Sequence, residues 1–143
     1  MMKNKLVMIM AILLVAITLV GVIAVIVVMK FNGDEGKPKE PTAEEIVAAS
    51  VEIPEITTNL ASGDFIRISF TIQTDSEKAK EELEQRNFQV KNIIITELSE
   101  LKAEELKGKA GKEKLQESLK TSVNTLMQEG KIEKVYITSS ILQ

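Results

Sequence analysis

Residues 65–73 read Phe65-Ile66-Arg67-Ile68-Ser69-Phe70-Thr71-Ile72-Gln73. Successive side chains of an extended chain point to opposite faces, so Ile66, Ile68, Phe70 and Ile72 share one side and Arg67, Ser69, Thr71 and Gln73 the other. This alternation predicts a half-buried strand, apolar toward a core and polar toward water.

The neighbouring segments build a domain around it. Ala61 to Asp64, with Ser62-Gly63-Asp64, is a turn, and a strand over Glu55 to Leu60 pairs with the first as a hairpin. Downstream, Thr74 and Glu77 have capping-box spacing, and Ser76 to Asn87 is a charged surface helix with Ala79 and Leu83 four apart. Asn92 to Leu98, rich in Ile93, Ile94, Ile95 and Thr96, reads as a buried strand, though its first half also fits a helix. Leu115, Leu119, Val123, Leu126 and Met127 share one face of an amphipathic helix over Gly111 to Gln128, with Gly130 as its stop. The last segment alternates again, Val135, Ile137, Ser139 and Ile141 opposite Tyr136, Thr138, Ser140 and Leu142, and closes the sheet. The fold class is α+β, a small antiparallel-rich sheet with packed helices over residues 51–143. A domain this small, without disulfides, buries only about 60–65 % of its unfolded surface, and association is expected to add to its stability.

Upstream the character changes. Leu6 to Met29 runs 24 residues without a charge, about 36 Å of helix at 1.5 Å per residue, against a hydrocarbon core of about 30 Å. The run exceeds the usual length of a signal-peptide core and closes on Val27-Val28-Met29-Lys30 without a small-x-small cleavage site, so it reads as an uncleaved membrane anchor whose partner is the lipid bilayer. Gly21 has no glycine four residues away, and Ala16 and Ala24 flank Val20 as a weak small-residue face. Lys3 and Lys5 stand on the N-side; Lys30, Lys37 and Lys39 on the other are diluted by Asp34, Glu35 and Glu40. By the positive-inside count the two flanks are nearly even; the short N-side tail is basic without any acid, so the N-terminus is expected in the cytosol and the domain outside. The expected organisation is a cytoplasmic tail over 1–5, an anchor over 6–29, a linker over 30–50 and an extracytoplasmic domain over 51–143. Asn32 to Pro41 is glycine, proline and charge without an apolar residue, a solvated linker. Thr42 and Glu45 stand at capping-box spacing for a short helix that Pro54 soon stops.

Composition narrows the chemistry. Residues 31–143 carry 15 Lys or Arg against 21 Asp or Glu, a net charge of −6, and hold few aromatics, a poor match to nucleic acid, which needs a basic face and stacking platforms. The chain has no cysteine and no histidine, which removes thiolate chemistry, disulfides, the commonest metal ligand and the usual general base. Any catalysis would rest on carboxylates, lysines or hydroxyls. Glu81, Glu82 and Glu84 are the densest carboxylate cluster, but neighbours on a helix point about 100° apart and these alternate with Lys78, Lys80 and Arg86, a solvated face. Gly108-Lys109-Ala110-Gly111-Lys112-Glu113 lacks the four-residue glycine gap and the hydroxyl of a phosphate loop. Asp75-Ser76-Glu77 lacks the pattern of a calcium loop. No catalytic, cofactor-binding or metal residue is assigned. A membrane-anchored cell-wall enzyme using carboxylates, or an anchored ligand-binding sensor, is the alternative to a scaffold.

One set of features has a family character. An N-terminal anchor, a charged linker, Thr57-Thr58-Asn59-Leu60 before a Gly-Asp turn, Gly111-Lys112-Glu113-Lys114-Leu115 opening the long helix, and a Val135-Tyr136 strand running to Gln143 together resemble the FliL family of flagellar basal-body proteins over nearly the whole chain. Where that family commonly has Val-Tyr-Phe-Thr followed by another Phe, this chain has Ile137 and Ser140. The resemblance implies a non-enzymatic protein whose extracytoplasmic domain is similar to the stomatin (SPFH) fold. It also implies a homo-oligomeric ring around the MotA/MotB stator at the flagellar basal body, supporting rotation and swimming or swarming motility.

Overall fold

The computed structural model describes residues 2–32 and 39–143. The chain forms two units, Met1–Glu40 and Pro41–Gln143. In the first, α1 (Met2–Asn32) extends the uncharged run into a helix of 31 residues. Residues 33–38, where most of the polar linker is expected, lie outside the described residues.

The second unit begins with α2 (Ala43–Ala48), fixed by a complete capping box. The Thr42 hydroxyl accepts the N–H of Glu45 at 3.3 Å, and the Glu45 carboxylate accepts the N–H of Thr42 at 2.8 Å. β1 (Ser50–Asn59), β2 (Phe65–Thr74) and β3 (Ile132–Leu142) form an antiparallel sheet in the order β1-β2-β3. β2 lies at the centre and buries Ile66, Ile68, Phe70 and Ile72, as its alternation predicts. β1 begins at Ser50, ahead of the expected Glu55, and runs through Pro54. A proline is tolerated there because β1 is an edge strand with a bulge between Ile53 and Ile56. At the hairpin, Leu60 N–H donates to Asp64 O at 2.8 Å and Gly63 takes φ +87°, a left-handed conformation that suits glycine.

The helices follow: α3 (Glu77–Gln85), α4 (Asn87–Glu100), a 3-10 turn (Ala103–Leu106) and α5 (Gly108–Asn124). α3 is capped by Ser76, whose hydroxyl accepts the N–H of Ala79 at 3.1 Å. The expected cap, Thr74, is instead buried at the end of β2. Its hydroxyl sits 2.6 Å from Ala49 O and 2.8 Å from Ser76 O, satisfying a polar group that would otherwise be costly inside.

The strand expected over Asn92–Leu98 is not formed; these residues lie in α4. Val90, Ile94 and Leu98, spaced four apart, are at most 1 % exposed, whereas Ile95 is 42 % exposed. That is the period of a helix packed on one side. The β-branched run 93–95 favours strand locally by a few tenths of a kcal/mol per residue, and burial of three large side chains at about 1.5–3 kcal/mol each outweighs it.

α5 starts three residues before the expected Gly111 and ends at Asn124. Leu115, Leu119 and Val123 are buried, while Leu126 and Met127 pack on the core from the turn that follows. β3 keeps the expected alternation only to Ile137. Ile137 is opposite Phe70 but Ser139 is opposite Ser69, so Thr138 is an extra residue in a bulge. Beyond it the faces exchange: Ser140 and Leu142 lie opposite Ile68 and Ile66, and Ile141 lies opposite Arg67. The core is the apolar face of this sheet covered by α3, α4 and α5.

Candidate functional site

α1 is the one helix among the described residues long and apolar enough to cross a membrane. Its apolar side chains are all exposed, the reverse of a core helix and the arrangement lipid favours. Thr18 returns its hydroxyl proton to Leu14 O within the helix, so it presents no unsatisfied donor. A side chain built at Gly21 would meet nothing within 4 Å; no neighbour requires that glycine.

The carboxylates of α3 do not converge. Glu81 and Glu84 are exposed, and Glu84 stands 3.9 Å from Lys80. Glu82 turns toward the segment between α5 and β3, where Oε2 accepts Glu129 N–H at 2.6 Å and Oε1 accepts Gln128 N–H at 3.0 Å. Arg86 Nε donates to the same Oε1 at 2.8 Å. The Glu129 N–H above all, then the Arg86 guanidinium and the Gln128 N–H, hold the Glu82 carboxyl below the usual carboxylate range, against an opposing contribution from desolvation. A general acid needs the opposite shift, so this carboxylate fastens a loop. Glu97 acts similarly between helices, accepting from Ser118 Oγ at 2.9 Å and from Ser122 Oγ. Sequence spacing could not reveal either role, because the main-chain donors to Glu82 and the serines that donate to Glu97 lie more than twenty residues away.

The other motifs are also structural. Gly108 opens α5 with φ +71°, and a Cβ at Gly111 would stand 2.4 Å from Glu105 O. These glycines therefore permit a turn and a close backbone approach and leave no phosphate cradle. Ser76 caps α3 and Asp75 Oδ1 accepts Lys131 N–H at 3.1 Å. Among the described residues no group of three acidic side chains is placed to hold a metal ion.

What the domain presents is surface. Arg67, Ser69, Thr71 and Gln73 are half-buried on the face of β2 away from the core. Tyr136 Oη donates to Gln73 Oε1 at 3.0 Å beneath Lys134, whose Nζ is 4.9 Å from the ring centroid. Arg67 Nε lies 3.4 Å from Glu55 Oε1 without hydrogen-bond geometry, a partly exposed ion pair of about 0–1 kcal/mol. Of the motif residues, Leu60, Leu115 and Val135 are in the core. Ile137 packs at its margin, and Ser140 is exposed.

A family model described as "Flagellar basal body-associated protein FliL" matches residues 50–143, the described domain from the first residue of β1 onward. The chain is 49 % identical over 109 residues to "Flagellar protein FliL" of Bacillus subtilis (strain 168), covering 76 % of this chain and 78 % of that protein. It is 28 % identical over 93 residues to "Flagellar protein FliL" of Aquifex aeolicus (strain VF5), covering 63 % and 58 %. With an α+β domain matched from the first residue of β1 to Gln143 and a relative 49 % identical over most of both chains, the chain belongs to the FliL family of flagellar basal body-associated proteins.

Proposed function

We propose that this protein is a non-enzymatic membrane scaffold of the flagellar motor. Residues 6–29 cross the cytoplasmic membrane with residues 1–5 in the cytosol, 30–50 act as a linker, and 51–143 stand outside. There the domain, taken as similar to the stomatin (SPFH) fold, self-associates in a ring around MotA/MotB stator units and supports rotation during swimming and swarming. The observation that supports this most is the match of residues 50–143 to a family of basal body-associated proteins, preceded by a helix suited to a bilayer. A partner that binds one state of the scaffold more tightly would select it, which needs surfaces and no catalytic group. In the densest carboxylate cluster, on α3, Glu84 stands beside Lys80 and Glu82 is committed to main-chain donors.

Photo-crosslinking from the open face of β2 in native membranes, with identification of the adducts, tests this reading. Adducts to stator proteins and to further copies are expected. Recovery of neither, with the protein present in the membrane, overturns it.

A further inference from the structure

The helices α3, α4 and α5 cover one face of the sheet and leave the other open. α5 lies along β3, where Gln116 Nε2 donates to Val135 O at 2.8 Å and Asn124 bonds both main-chain groups of Ile132. α4 lies on the β1 side. Its outer surface is sparsely charged: from Asn87 to Thr96 the only charge is Lys91. Phe88 and Ile95, about two turns apart on one side, are 72 % and 42 % exposed. On the open sheet face, Arg67 Nε is shielded from water and has no hydrogen-bond partner among the described residues, a cost that an added acceptor would remove.

Both surfaces have a direction. Ala61 N–H donates to Leu101 O at 2.8 Å, so α4 ends at the β1–β2 hairpin. Arg86, just ahead of α4, shares the Glu82 carboxylate with Gln128, at the end of the sheet where β3 begins. α4 therefore runs in the sense of β1. Along that sense α4 carries Lys91 and then Glu100, about 14 Å further on. The open face carries Glu52 and Glu55 and then Arg67, which pairs with Thr57, about 16 Å beyond Glu52 and about 7 Å beyond Glu55. The order is base then acid on the helix, and acid then base on the sheet. The flanks agree as well. Glu97 is turned to α5 by Ser118 and Ser122; at about 100° per residue Glu100 follows on that flank, and Lys91 lies on the opposite one, toward β1.

We propose that the outer face of α4 packs on the open face of β1 and β2 of a second copy of this chain, the two copies in the same orientation. Lys91 then meets Glu52 and Glu55, Glu100 meets Arg67, and the uncharged surface around Phe88 and Ile95 is buried between them. Charge complementarity selects a copy as the occupant: each surface carries the signs that the other lacks, in the same sense and at similar spacing. Turned about a two-fold axis, the same surfaces would set Glu100 against Glu52. Chains held by the same anchor in one membrane share an orientation, which is the one that the charges favour. The two surfaces differ, so each copy keeps one of each free after the first contact. Such a head-to-tail contact does not close at two and builds a ring where its rotation closes. The proposal rests on the anchoring and self-association stated above and names the two surfaces.

The chain has no cysteine, so exposed Asn92 on α4 and exposed Thr57 on β1 can each carry a unique thiol in the full chain in native membranes. With a short bismaleimide, a chain bearing both Asn92→Cys and Thr57→Cys is expected to give a ladder of dimers, trimers and larger species. Each single-cysteine chain alone is expected to stay monomeric, and the two produced together to give a dimer of one of each. Lys91→Glu, added to the double-cysteine chain, is expected to lower the ladder's yield about tenfold through acid opposed to acid. Glu52→Lys with Glu55→Lys, added in turn, is expected to restore it. Dimers of a single-cysteine chain, or a ladder that Lys91→Glu leaves intact, overturn this contact. Absence of the ladder while general amine crosslinking still joins copies overturns these surfaces and leaves self-association standing. Absence of any copy-to-copy adduct overturns both, and an adduct from these positions to a different protein alone overturns the choice of a second copy.

Discussion

The Glu82 carboxylate accepts the main-chain N–H of Glu129, forty-seven residues further along, at 2.6 Å. Because Gln128 and Arg86 donate to the same group, one side chain fastens the segment that delivers the chain from α5 into β3. Its folded pKa is depressed, so its contribution is present above the ordinary carboxylate pKa and is lost as pH falls through the lower folded value. Glu82→Gln is expected to lower the melting temperature at neutral pH and to flatten its decline on acidification. Melting curves from neutral pH down through the carboxylate range check this; parallel declines in both proteins would contradict it.

Gly111 makes room for the main chain of the 3-10 turn. A Cβ there would meet Glu105 O at 2.4 Å and Leu106 C at 2.9 Å, and backbone cannot yield as a side chain can. Gly111→Ala is expected to destabilise by about 1–3 kcal/mol, the usual cost of overpacking. Gly21→Ala in α1, where nothing lies within 4 Å, is expected to leave the domain's stability unchanged. Denaturant titration of both variants decides.

Helical burial along α4 makes a distinct forecast for two adjacent isoleucines. Ile94 is 1 % exposed and Ile95 is 42 % exposed. Ile94→Ala is expected to cost about 2–5 kcal/mol, and Ile95→Ala about 0.5 kcal/mol or less. Equal costs in chemical denaturation would contradict the packing of this helix.

The capping box of α2 is a local device, so its loss should be local. Thr42→Ala is expected to cost about 1 kcal/mol and to speed amide exchange in residues 43–49 without changing protection of β2. Hydrogen-exchange mass spectrometry reads both effects; faster exchange across β2 would show that α2 is coupled to the whole domain.

What the sequence disclosed follows from the range of the interactions. β2 was legible because its alternation is written in consecutive residues, and α1 because length and the lack of charge suffice. Thr42 and Glu45 were legible because a capping box spans four residues. α4 was not: Ile93, Ile94 and Ile95 favour strand locally, and only the core beneath Val90, Ile94 and Leu98 decides for helix. The exchange of faces in β3 was hidden for the same reason, since the bulge at Thr138 exists only relative to β2. Glu82 looked like one more solvated acid because its donors, Gln128 and Glu129, lie on the far side of α4 and α5 in sequence. Which part of a sheet edge is covered was least legible, because that depends on what Gln116 and Asn124 reach in space.

The central claim, that the domain beyond the anchor supports the flagellar motor, is tested most directly by motility. A strain producing the chain with residues 32–143 deleted, its anchor still in the membrane, is expected to show impaired swimming and swarming, restored by the full chain. Normal swimming and swarming in that strain would contradict the account.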